Sequence, residues 1–249
     1  MRRFYIEPDQ MNGQSAEITG TEARHLKTVL RMQPGDRLEL VDGSGYAYEC
    51  RIQSINEDQI QVEVLGRHPA AAESPLELSI ALGFLKDKKM DLLVRHLTEL
   101  GISRFIPLWT ARAVARPPEK RLASRMERWQ SIAKEAVKQS QRGRVPEIAR
   151  PLSFNEALEL GGQSDKRLLF WEQADAALPR EATTQQNASS VFMLLGPEGG
   201  FTEKEARTAV DRGFSPLSMG PRILRAETAA ITACALIQYL FGDMGQKSP

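Results

Sequence analysis

The chain has 249 residues, of which 41% are hydrophobic and 26% charged, with a formal net charge of +1. That suffices for one large domain or two moderate ones with a buried core. It offers no apolar run long enough to span a membrane and no bulk field to attract a polyanion, so a nucleic-acid partner would have to be met by local patches. The only cysteines, Cys50 and Cys234, lie far apart, and the three histidines show no ligand-type spacing with them. No disulfide framework and no metal site are expected, and the cytoplasm is the natural compartment.

The N-terminal Met1-Arg2-Arg3-Phe4-Tyr5 has no apolar stretch behind its arginines, so a secretory signal is not expected. The first seventy residues read as β-rich. Leu38 and Leu40 alternate with polar neighbours, as do Tyr46, Tyr48, Cys50 and Ile52, and then Ile60, Val62 and Val64, with Asp-Gly and Asn-rich turns between the runs. Period-two runs of this kind predict hairpins closing into a small barrel. One short helix is embedded, with Thr21 as N-cap and Arg24, Lys27 and Arg31 on one face. Residues 67–75, with two prolines and no periodicity, read as a linker.

Beyond residue 75 the pattern changes to alternating strand and helix. Strands are predicted at 76–82, 105–109, 168–171, 191–195 and 216–219, with helices at 88–100 and 119–142. The alternation implies an α/β fold with a mostly parallel sheet and helices on both faces. From Arg112 to Arg150 there are eleven Lys or Arg residues against four Asp or Glu. Most such charge runs are solvated helix faces, but Arg112 and Arg116 precede a Pro-Pro pair in a loop, where they could reach a nucleic-acid backbone.

Two glycine-turned loops carry the most information. Leu195-Gly196-Pro197-Glu198-Gly199-Gly200-Phe201 follows a strand and leads into a capping box at Thr202 and Glu205. Its glycines allow positive φ and close approach of a ligand. No phosphate-loop or dinucleotide fingerprint accompanies it, and Glu198 would repel a phosphate, so a neutral or cationic ligand fits better. A tight strand–helix connection with no ligand accounts for this loop equally well. Met219-Gly220-Pro221-Arg222-Ile223-Leu224-Arg225 ends the next strand and precedes a helix, 227–241, that is apolar nearly all round and so calls for cover on most sides, by the core alone or with a second subunit. Arginines at a helix N-terminus gain nothing from its dipole. Either they serve a function or they pair with Glu227 or Glu198.

Together, Gly196-Pro197-Glu198-Gly199-Gly200-Phe201 and Met219-Gly220-Pro221-Arg222-Ile223-Leu224-Arg225-Ala226-Glu227-Thr228-Ala229 resemble the signature of the 16S ribosomal RNA uracil-N3 methyltransferases, a family of the SPOUT superfamily. Arg2-Arg3-Phe4-Tyr5, Thr98-Glu99-Leu100-Gly101-Ile102 and the Arg128-Trp129 helix agree with it, so the resemblance spans the chain. Met219 stands where the family usually has Leu, and Asp91 where it has Glu.

The resemblance implies an N-terminal PUA-like barrel (1–72) that binds RNA. A SPOUT methyltransferase domain (73–249) with a deep trefoil knot would follow and form a homodimer. It implies S-adenosyl-L-methionine as cofactor, with Leu195, Gly196, Pro197, Gly199, Gly200, Met219, Gly220, Ile223, Leu224 and Thr228 as its binding residues. The partner would be 16S rRNA in the assembled small ribosomal subunit. Methylating N3 of uracil requires loss of the N3 proton and stabilisation of charge on O2 and O4. The residues expected to do this are Arg225, then Arg222, with Glu198 the candidate base. RNA contacts are expected from Arg24, Lys27, Arg31, Arg112, Arg116, Arg121, Arg125 and Arg128. The rival readings are a knotted methyltransferase for another base, a non-catalytic assembly factor, and a nucleotide-binding regulator.

Overall fold

The computed structural model describes residues 1–57, 59–86, 88–113, 117–177 and 188–245. These fall into two compact units, Met1–Glu73 with Lys134–Val145, and Ser74–Ala133 with the rest of the chain from Pro146. The first unit thus takes Lys134–Val145 out of the 73–249 segment that the sequence assigns to the second domain.

In the first unit β1 (Arg3–Tyr5), β2 (Met11–Asn12), β3 (Ser15–Thr19), β4 (Arg37–Val41), β5 (Tyr46–Ile55) and β6 (Gln59–Pro69) form a six-stranded sheet in the order β1-β4-β5-β6-β3-β2. The β1–β4 pair is parallel and the rest antiparallel. Inward residues of the predicted alternation, Leu38, Leu40, Cys50, Ile52, Ile60 and Val62, join Phe4, Ile6, Ile18 and Leu26 in one buried cluster. Burial pushes the Cys50 thiol up to about 12, as expected of an inert core residue.

Three expectations change here. The ladder is not closed, since among the described residues β1 and β2 do not pair. The expected linker is largely strand: β6 continues to Pro69, because Arg67 to Pro69 pair with Tyr46 to Tyr48 and the Arg67 guanidinium lies 3.6 Å over the Tyr46 ring. The short helix starts earlier, as α1 (Gly20–Arg24) with Thr19 as N-cap, and widens into a π turn at His25–Val29. That extra residue in the turn displaces Arg31 beyond the helix, where it takes φ 52°. Arg31 therefore does not share a helical face with Arg24 and Lys27.

The second unit contains β7 (Glu77–Gly83), α2 (Lys88–Glu99), β8 (Arg104–Trp109), α3 (Glu119–Ser140, its last turns in the first unit), β9 (Glu147–Ile148), β10 (Leu152–Ser153), α4 (Phe154–Gly161), β11 (Lys166–Phe170), β12 (Ser190–Leu195), α5 (Glu203–Asp211), β13 (Ser215–Leu217) and α6 (Ala226–Phe241). The sheet is parallel throughout, ordered β10-β8-β7-β12-β11-β13 with β9 also on β8. Both faces are covered, so β12 reads as an unbroken apolar run. Phe192 and Leu194 pack with residues of α4 and α5, while α6 packs on β12 and α2. Trp129 of α3 is buried and donates its ring N–H to Asp91 at 3.0 Å.

From β7 the chain first adds strands on one side, then crosses to β11 and inserts β12 between β11 and β7. The strand order therefore reverses at the β7–β12 pair. In open parallel sheets the carboxyl ends of the strands at such a reversal form a crevice. Among the described residues no helix is long and apolar enough to cross a membrane.

Candidate functional site

At the carboxyl ends of β11, β12 and β13 lies a cleft of about 760 Å³, within the range of small-molecule sites. It is lined by Leu195 and Leu217 at the ends of β12 and β13, by the two glycine loops, by Phe170, Trp171 and Glu172 at the end of β11, and by Lys89 and the first turn of α6.

Backbone crowding shapes the first loop. A Cβ on Gly196 would lie 2.9 Å from the Gly200 carbonyl carbon, and one on Gly83, at the end of β7, 2.4 Å from the Pro197 nitrogen. Gly200 has φ +66°, and its N–H closes a turn onto the Pro197 carbonyl at 2.9 Å. The expected capping box begins α5: Thr202 accepts from the Glu205 N–H at 3.2 Å, and Glu205 accepts from the Thr202 N–H at 2.8 Å. Arg112 donates to the carbonyls of Gly199 and Phe201 at 2.9 and 3.3 Å. This arginine, grouped by sequence with RNA contacts, thus hydrogen-bonds the cleft's own loop.

The second loop is more open. Ser218 N–H donates to Ala176 at 2.7 Å, and Gly220 takes φ +105° with open space where a Cβ would point. Arg222 and Arg225 are exposed and Ile223 is 90% exposed. Arg225 is the N-cap of α6 without a side-chain cap bond. The alternative of an ion pair with Glu198 or Glu227 is not realised among the described residues. Lys89 takes both carboxylates instead, at 3.3 and 3.1 Å. Hydrogen bonding to Glu227 holds the Lys89 ammonium above its ordinary pKa. Partial burial works against the Glu227 charge, but its backbone hydrogen bond and Lys89 outweigh this and hold it below the usual carboxylate range.

Of the residues that the sequence assigns to catalysis and cofactor binding, Leu195, Gly196, Pro197, Glu198, Gly199, Gly200, Met219, Gly220, Arg222, Ile223, Leu224 and Arg225 line the cleft. Thr228 does not: Ala226 and Ala229 face it, and the helical turn between them carries Thr228 to an exposed position. Of the expected RNA residues, Arg24, Lys27 and Arg31 are exposed on the first unit. Arg121 is exposed on α3, Arg125 is half-buried, and Arg128 pairs with Asp91 at 2.7 Å while staying 65% exposed. Arg116 lies outside the described residues.

Sequence reasoning missed Lys89, Trp171, Glu172 and the roles of Gly83 and Arg112. Trp171 was legible as the last residue of the predicted strand 168–171, and Glu172 as the residue leaving it. The ring nitrogen of Trp171 is buried without a hydrogen-bond partner, and a buried donor of that kind calls for a ligand or water. The cleft therefore combines glycine backbone, apolar side chains and two exposed arginines. It suits a ligand with an apolar ring and polar edges, and an anionic reacting group beside the arginines.

Two domain families match the chain: an RNA methyltransferase domain over residues 72–238 and an RNA methyltransferase PUA domain over residues 18–65. The chain is 33% identical to ribosomal RNA small subunit methyltransferase E of Bacillus subtilis (strain 168) over 247 residues, covering 96% of each chain. To the protein of the same name from Synechocystis it is 32% identical, covering 96% of this chain and 77% of that one. Among solved structures, the Neisseria gonorrhoeae ribosomal RNA small subunit methyltransferase E bound to S-adenosyl methionine superposes with a TM-score of 0.87 at 31% identity, covering 98% of this chain and 99% of that one.

Proposed function

The chain belongs to the ribosomal RNA small subunit methyltransferase E family of SPOUT methyltransferases, and from that premise we propose that it methylates N3 of a specific uridine in 16S rRNA, using S-adenosylmethionine. The observation that carries this reading is the pairing of a glycine-walled, phosphate-loop-free cleft with two exposed arginines at its rim. Relatives supply the reaction class: one solved structure at 31% identity was obtained with S-adenosyl methionine.

The residues fit that ligand. Leu195, Leu217, Met219, Ile223 and Leu224 would clasp the adenine, and backbone groups of both loops would meet its polar edges. When bound, S-adenosylmethionine supplies an electrophilic methyl group. The chain's own task is the uracil. Arg225, with Arg222 three residues before it, stabilises the charge that spreads onto O2 and O4 as the N3 proton leaves. Glu198, its carboxylate facing Lys89 at the cleft, accepts that proton. A uracil inside folded RNA has to be presented unstacked to reach such a cleft.

RNA contacts are assigned to Arg24, Lys27 and Arg31 on the first unit and to Arg121 and Arg128 on α3, all exposed. Phosphate contacts of this type make affinity fall with salt. A homodimer is supported by the uncovered side of α6, where Tyr239 is 58% exposed beside Leu236; sedimentation at the monomer mass would remove it. A trefoil knot is supported by the chain's return from β13, at the sheet edge, to α6 against α2 and β12; an experimental trace with an unthreaded α6 would exclude it. The assembled small subunit is the proposed substrate, since recognition spread over two protomers suits a preformed RNA surface.

The test is methyl transfer from labelled S-adenosylmethionine to small ribosomal subunits lacking the modification, followed by nucleoside analysis. Label in 3-methyluridine is the expected result. Label in another nucleoside would overturn the base assignment, and cofactor binding without transfer would point to an assembly factor.

A further inference from the structure

Arg112 leaves the end of β8 and reaches the first glycine loop. Its Nη1 donates to the carbonyls of Gly199 and Phe201, and its stem packs where Gly199 would carry a Cβ, 3.2 Å away. The neighbouring Ala111 N–H donates to Glu205 at 2.8 Å, and Glu205 also takes the Thr202 N–H. Each carbonyl belongs to a peptide plane whose opposite edge is an N–H. The Gly199–Gly200 peptide is therefore held on both edges, by Arg112 and by the Pro197 carbonyl that accepts the Gly200 N–H. The Phe201–Thr202 peptide is likewise held by Arg112 and Glu205.

Between these two fixed planes lies the Gly200–Phe201 peptide. Among the described residues neither its carbonyl nor its N–H has a hydrogen-bond partner. Its nitrogen lies 3.0 Å from the point where Gly196 would carry a Cβ, so residue 196 leaves it uncovered at the cleft. Bonds on either side hold this unpaired peptide in place, and its donor and acceptor are left to be met by a ligand or water.

We propose that Arg112 is a positioning residue for the methyl-donor cofactor: by gripping the two flanking carbonyls it orients the Gly200–Phe201 peptide as a donor and acceptor for the ligand in the cleft. This rests on the S-adenosylmethionine reading above. It moves Arg112 from the RNA surface to the cofactor loop and gives Gly199 a reason to lack a side chain.

The experiment is calorimetric titration of S-adenosylmethionine into the full-length protein without RNA, for wild type, Arg112→Ala, Arg112→Lys and Arg207→Ala. Arg207 is an exposed residue of α5 paired with Glu203 and serves as control. Loss of both hydrogen bonds should weaken cofactor binding about tenfold in Arg112→Ala. KM for the cofactor should rise in parallel while kcat at saturation stays near wild type. Arg112→Lys keeps the stem and the charge but loses the planar guanidinium that aims Nη1 at both carbonyls, and should fall between. It also isolates the lost geometry of the paired hydrogen bonds if the alanine variant melts early. Arg207→Ala should match wild type. Cofactor affinity equal to wild type in both Arg112 variants overturns the proposal, as does a defect confined to RNA affinity. Wild type that binds no S-adenosylmethionine overturns the parent reading itself.

Discussion

The two loops that wall the cleft share a Gly-Pro start and lead into helices, yet they are built differently. Residues 196–201 are gripped by Arg112, Glu205 and the end of β7, and Gly196 among them has no room for a Cβ. Residues 219–225 expose an isoleucine at 90%, two arginines and a glycine with open space beside it. The first loop is preorganised by its own chain. The second carries the two arginines proposed to act on the uracil and has few hydrogen bonds of its own among the described residues, which leaves it the freer wall to respond to a ligand. A rigid wall opposite a responsive one is an economical way to bind a cofactor tightly and admit a bulky substrate.

The largest expected effect lies in the responsive loop. Arg225→Ala should lower kcat by about 10²–10³, the range for removing a donor aimed at developing negative charge, with cofactor affinity in calorimetry near wild type. Arg222→Ala should do the same more weakly. Equal losses in turnover and cofactor affinity for Arg225→Ala would mean that the second loop is scaffold like the first, and the contrast would collapse.

Glycine substitutions sharpen the contrast. Gly83→Ala forces a methyl to 2.4 Å from the Pro197 backbone, and such overpacking costs about 1–3 kcal/mol, so lower thermal stability together with weaker cofactor binding is expected. Gly220→Ala meets no atom within 4 Å and pays only for its positive φ, about 1 kcal/mol. A Gly220→Ala variant less stable than Gly83→Ala in denaturant melts would reverse the assignment of rigid and responsive walls.

Much of this was legible in the sequence, and what escaped has identifiable causes. The strands of the second unit and the capping box at Thr202 follow from local periodicity and hydrogen-bond chemistry, which act over a few residues. The short pieces β9 and β10 escaped because two residues carry no period. Ser153 and Glu156 form a second capping box, at the start of α4, by the same spacing that marks Thr202 and Glu205. The strand end at Arg67 to Pro69 was hidden because proline and mixed charge mimic a linker, while pairing with β5 is a long-range fact. Lys89 and Arg112 could not be assigned for the same reason. Their partners are 109 or more and 87 or more residues away in sequence, and only the parallel sheet brings β7, β8 and β12 side by side.

The smallest effect expected comes from Lys89, which sits where the two walls meet. It bridges Glu198 of the rigid loop and Glu227 at the base of the responsive one. Both carboxylates and the amine are partly exposed, so each pair is worth about 0.5 kcal/mol. Lys89→Met should therefore lower the melting temperature by only a few degrees, and high salt should shrink the difference. The pH dependence has a definite sign. Glu227, held below the ordinary carboxylate value, contributes stability above that value and loses it as pH falls through its folded pKa. Lys89, held above the ordinary lysine value, contributes below it and loses the contribution as pH rises through its folded pKa. The stability gap between wild type and Lys89→Met should thus be flat across neutral pH and narrow at both the acidic and alkaline ends. A gap that instead changes between pH 6 and pH 8 would mean that Lys89 is not held by these two carboxylates, and the bridge between the walls would have to be drawn elsewhere.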